Sequence, residues 1–140
     1  RFYRILENGT QLGQRSGSRS TYCFRKHLSL TQADLAATDF LILKVLHDDG
    51  CAVWLNGVKV GRSNLPPGAL YNYQQGIYAV GDPNNDPYED IFLQFVAPKS
   101  ALRAGDNVVA AVLHGLTSGT KDLGFDLSLH AIKNSWWPGE

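Results

Sequence analysis

Methionine is absent from this 140-residue chain, which opens on Arg1, and that reads as a processed form or a piece of something longer. No apolar run approaches the roughly 20 residues that a membrane-spanning helix needs, so membrane insertion is not expected. An excess of charge is missing too, because Lys plus Arg and Asp plus Glu number 13 each. Proteins that grip nucleic acid through its phosphates carry a basic surplus, and nucleic acid is therefore not an expected partner. The familiar catalytic signatures are also lacking. There is no Gly-x-Ser-x-Gly elbow, no phosphate-cradling glycine loop before a helix, and no helix dipole to hold an anion. The four histidines, His27, His47, His114 and His130, lack the close pair spacing of zinc sites and read as structural. Glu89, Asp90 and Asp126 would form a glycosidase acid/base pair only through tertiary contact, which nothing local supports. The chain reads as non-catalytic.

Cysteine is scarce. Cys23 and Cys51 permit one disulfide at most, and pairing demands Cα atoms within about 7 Å. Both fall at or inside expected strands, and the expectation is two unpaired, largely buried thiols. Asn8-Gly9-Thr10 is a formal N-glycosylation sequon, a short pattern that also arises by chance.

What is present is strand periodicity punctuated by turns. Residues 1–20 are polar and rich in Gly, Ser and Arg, a loosely held lead-in with a short strand at Phe2–Leu6. Tyr22–Leu30 alternates, with Tyr22, Phe24 and Lys26 on one face and Cys23, Arg25 and His27 on the other. Residues 31–38 read as a connection that could hold one helical turn. Phe40–Leu46 is a nearly continuous apolar run, as expected for a central strand covered on both faces. Asn56-Gly57 between apolar runs is the strongest short-range hairpin signal, since a type I′ turn needs positive φ at both central residues. Arg62 to Tyr88 is rich in turns and carries Tyr71, Tyr73 and Tyr78; a sandwich places binding surfaces in such loops. Ile91–Val96, Val108–His114 and Leu123–Ile132 complete the strands. About seven or eight strands without a helical period make an all-β, single antiparallel β-sandwich. The expected division is a lead-in at 1–20, the sandwich at 21–133 and a tail at 134–140.

The segment His47-Asp48-Asp49-Gly50-Cys51-Ala52-Val53-Trp54-Leu55-Asn56-Gly57 resembles the D-D-G-x-x-V-[YW]-L-N-G hairpin of galactose-binding-like jelly rolls. Tyr22-Cys23-Phe24-Arg25-Lys26 is similar to the opening Y-F-R-K-x-F strand of such domains. Gly61 to Gly68 resembles their R-x-N-x-P-x-G turn. Leu102 to His114 resembles L-x-x-G-x-N-V-x-A-V-x-x-H, and Asp122 to Leu127 the closing D-L-x-F-D-L strand. The resemblance departs after His114, where Gly115 stands in place of the usual Gln. It implies a jelly roll that works as a non-catalytic, carbohydrate-binding module of an extracellular or cell-surface protein.

On that reading the candidate ligand-binding residues are Asp49, Trp54, Arg62, Asn64, Tyr71 and Tyr73, with Tyr78 beside them. Aromatic rings stack on sugar faces, while Arg, Asn and Asp hydrogen-bond hydroxyls. Each has a plainer role open to it: Trp54 as core, the others as loop packing. Asp48 and Asp49 could ligate Ca²⁺ or simply lock a turn through backbone N–H groups. The rival reading is a structural or protein-interaction domain of an extracellular assembly. In that case Phe2-Tyr3 and Trp136-Trp137 would be sticky ends that meet neighbouring chains or drive self-association.

Overall fold

Alternating side chains and tight turns resolve into two packed sheets. The structure, a computed structural model, describes residues 2–4, 21–69, 92–115 and 124–133. Its strands are β1 (Phe2–Arg4), β2 (Thr21–Leu30), β3 (Phe40–His47), β4 (Gly50–Leu55), β5 (Val58–Ser63), β6 (Leu93–Pro98), β7 (Gly105–His114) and β8 (Phe125–Ile132). The first sheet runs β1-β8-β3-β6 and the second β2-β7-β4-β5, four strands each, with every observed pair antiparallel. The pairs nest: β4 with β5, β3 with β6, β2 with β7 and β1 with β8. The chain is an all-β sandwich, as its patterning predicts.

The core lies between the sheets and is filled by alternate residues of each strand. Leu41, Leu43 and Val45 of β3 and Leu127 and Leu129 of β8 face Cys51, Val53 and Leu55 of β4 and Val109, Ala111 and Leu113 of β7. Phe24 of β2 stacks on Phe125 of β8, joining the sheets at a centroid distance of 4.6 Å and an interplanar angle of 9°. Burying a large aliphatic side chain contributes about 1.5–3 kcal/mol, so this alternation supplies most of the drive to fold.

β3 corrects one expectation. Its inward residues are buried, but Phe40, Ile42, Lys44 and Leu46 are only half-buried, so a single face is fully covered. Apart from Lys44, the outward side of this strand is also apolar, without being covered as the inward side is. Residues 31–38 hold more order than a plain connection: α1 spans Gln32–Ala36. Thr31 Oγ1 accepts from Asp34 N at 3.0 Å, and Thr31 N donates to Asp34 Oδ2 at 2.9 Å. That reciprocal box satisfies two otherwise orphaned donors, and it is what holds so short a helix. Strand limits also shift: the run expected at Ile91–Val96 pairs as Leu93–Pro98.

Asn56 and Gly57 take φ of 49° and 83°, the left-handed pair the hairpin turn requires. The turn is then locked to β7. Asn56 N donates to Val108 O at 2.8 Å and Asn56 Oδ1 accepts from Val108 N at 2.8 Å. Asn56 Nδ2 reaches Asn107 Oδ1 at 2.8 Å and Ala101 O at 2.9 Å. Asn107, fully buried, donates in turn to the carbonyls of Arg103 and Gly105. Two asparagines thus satisfy the backbone at one end of the sandwich.

The thiols are both free, but only Cys51 is buried; Cys23 is exposed, which corrects the expectation of two buried thiols. The physical reason is parity. Cys23 lies on the outward face of β2 and Cys51 on the inward face of β4, so a bridge between them would have to pass through the sheet.

Candidate functional site

The outward face of the second sheet carries a groove, the candidate site. Across it, cross-strand neighbours form rows: Arg25 beside Ala110, Ala110 beside Trp54, and Trp54 beside Lys59. The next row runs Cys23, Val112, Ala52, Arg62. Val108 of the central strand pairs with His27 in a third. Along the groove the central strand β7 presents Val108, Ala110 and Val112, with the buried His114 at its end, while longer side chains stand on either side. Low residues between tall ones make a groove, and its volume is about 1020 Å³.

A bulge decides which side chains enter it. The β4–β5 register shifts between Val53 and Trp54, so that Val53 faces Gly61 while Trp54 faces Lys59, and Val60 is the extra residue. In a regular strand, Lys59 and Arg62 would point to opposite faces, being an odd number apart. The bulge brings both cations onto the groove side. Gly61 then turns inward, where a Cβ would fall within the ring of Phe95 from the opposite sheet. That close approach is why glycine occupies the position.

Trp54 is half-buried and lines the groove, rather than filling the core. Arg62 also lines it; its Nη1 donates to Gly68 O at 3.0 Å. Asp49 and Asn64 sit elsewhere. Asp49 is fully buried at the corner between β3 and β4, where its carbonyl accepts from Asn64 Nδ2 at 3.0 Å and from His47 Nδ1 at 2.8 Å. Those two residues shape the corner and stand apart from the groove lining. Tyr71, Tyr73 and Tyr78 lie outside the described residues, as do Asn8, Glu89, Asp90, Trp136 and Trp137. The structure therefore unites Trp54 and Arg62 and adds Arg25, Lys59 and His27, which were not singled out as ligand contacts. The alternation in β2 puts Arg25 outward, so that signal is present; Lys59 depends on the bulge, whose one hint in sequence is Gly61 inside the strand.

The histidines stay apart. His27 Nδ1 meets the Asp106 carboxylate at 2.8 Å on the surface, and His114 Nδ1 lies 3.1 Å from Thr21 Oγ1. His130 Nε2 lies 3.0 Å from Ser128 Oγ, and burial together with nearby Lys44 pushes its pKa below the usual imidazole range. Among the described residues no three His, Cys, Asp or Glu side chains gather in a metal-binding arrangement. Asp48 is buried like Asp49, and its N–H donates to Gly124 O at 2.9 Å.

No helix among the described residues is long and apolar enough to cross a membrane. No protein-family model and no curated protein matches the chain. Among solved structures, it is similar to a β-D-mannosidase from Dictyoglomus thermophilum, at 16% identity and a TM-score of 0.45. That similarity covers 69% of this chain and 9% of the mannosidase chain.

Proposed function

We propose that this chain is a non-catalytic, extracellular binding module of jelly-roll type whose ligand is carbohydrate, held along the outward face of the second sheet. The nested strand order supports the jelly-roll reading, and the sequence resemblance to galactose-binding-like domains supports the extracellular one. The observation that carries the ligand class is Trp54, an indole in the wall of an open groove, in line with Arg25 and Lys59. A pyranose ring offers an apolar C–H face to such an indole and a rim of hydroxyls to the flanking cations. Contact on one side only makes for modest affinity, which valency then multiplies.

A glycan array followed by calorimetry on the purified chain tests this. Binding is expected, and Trp54→Ala is expected to weaken it by about tenfold or more (1.4 kcal/mol) with the melting temperature retained. Silence across the array and across soluble neutral and acidic polysaccharides overturns the reading.

A further inference from the structure

We infer that the groove takes an acidic glycan, a polymer of uronic acids, in preference to a neutral one; this rests on the carbohydrate reading above. The chain as a whole is neutral, with 13 basic and 13 acidic residues. Its groove is not. Arg25, Lys59 and Arg62 line it, and no Asp or Glu does so among the described residues. Asp106, near the start of β7 and opposite Ser29 of β2, is met by His27 at 2.8 Å. Among the described residues Arg25 and Lys59 are exposed and engage no carboxylate, the salt bridges there being His27–Asp106 and Lys133–Asp39.

Arg62 adds charge rather than a direct contact. Its Nη1 is held by Gly68 O, and its Nε and Nη2 are shielded, without an acceptor among the described residues. Its guanidinium adds to the positive field of the groove, while the exposed Arg25 and Lys59 are the cations a ligand can touch.

Spacing fits the same occupant. Strands lie about 4.8 Å apart, so Arg25 and Lys59, three strands apart in one row, are about 14 Å apart at their backbones. Trp54 stands between them, adjacent to Lys59. A uronic-acid chain crossing the strands keeps an apolar ring face for Trp54 and carries a carboxylate on each sugar for the cations. A nucleic acid would find one stacking platform and no basic surplus outside the groove.

The test is calorimetry of the whole chain with polygalacturonate and alginate, each beside its esterified form, at low and raised salt. The acidic polymers are expected to bind, and more weakly as salt rises. Esterification is expected to weaken binding by about tenfold or more, and the exposed double variant Arg25→Gln/Lys59→Gln to do the same with an unchanged melting temperature. Equal binding of the esterified form, or an undiminished double variant, overturns the inference while leaving the carbohydrate reading intact. So does binding of neutral glycans alone. A single-stranded oligonucleotide binding as tightly as polygalacturonate also overturns it, since the groove then reads charge without the sugar. Silence of every glycan removes the carbohydrate reading itself.

Discussion

The second sheet has two faces built from the same strands, and they are unlike. Inward, β4 and β7 present Val53, Leu55, Val109, Ala111 and Leu113, of which the most exposed is Ala111 at 6%. Outward, one residue along, they present Trp54, Ala110 and Val112 between the basic side chains of β2 and β5. One parity of position carries the stability of the sandwich and the other the proposed recognition surface. The lesson is that the two can be varied separately, although each is a single residue from the other along the chain.

The strongest challenge to that division is Leu113→Ala. Leu113 is fully buried in the inter-sheet core, and its truncation is expected to lower unfolding free energy by about 2–5 kcal/mol. Urea unfolding measures it, and glycan affinity of the remaining folded fraction should be unchanged. A stable variant with lost affinity would break the division.

Asn107→Ala probes the seam between the faces. Asn107 stands at the start of the inward row, yet it acts through hydrogen bonds to Asn56, Arg103 and Gly105 rather than through apolar contact. Removing it leaves buried donors and acceptors unpaired, and the expected loss is about 1–3 kcal/mol by urea unfolding. Because it anchors the turn below Trp54 and Lys59, this variant is also expected to weaken glycan binding, unlike the core truncation.

The smallest effect comes from the thiols, which mark the two faces directly. Cys51 is fully buried, and burial pushes its thiol up to about 12. Cys23 lies open on the groove side. At pH 8 a thiol reagent is expected to label Cys23 in the native protein and to reach Cys51 only after denaturant is added, as read by intact mass. Labelling of both in native conditions would show that the inward face opens readily.

How much of this was legible from the residues follows from range. The Asn56-Gly57 turn, the alternation of β2 and the breadth of the β-sandwich are local properties, and all were readable. β3 misled because an apolar outward side chain such as Ile42 looks the same in sequence as one in the core. The groove was legible only in part. Trp54 and Arg62 stood out by residue type, but Arg25 meets Trp54 only through the register of β7 between them. Gly61 inside β5 hints at a bulge or a close backbone approach, but it does not say which residue is extra or that Lys59 and Arg62 turn to one side. Asp49 and Asn64 stand out in sequence as polar residues near a turn, and the structure places them at the corner between β3 and β4, where the Asn64 amide donates to the Asp49 carbonyl, away from the groove lining.

The nested pairing also sets an order of assembly. Loop-closure entropy grows with the length of chain enclosed, so β4 and β5 meet first, across two turn residues, followed by β3 with β6, β2 with β7 and finally β1 with β8. Such non-local pairing folds slowly. The earliest hairpin already holds Trp54, Lys59 and Arg62, whereas Arg25 arrives only when β2 zips onto β7. A chain paused partway would display the indole and two cations without the wall that faces them, so capture of the proposed ligand would be a late event on the folding route, and ligand present during refolding is expected to trap the product rather than speed its formation.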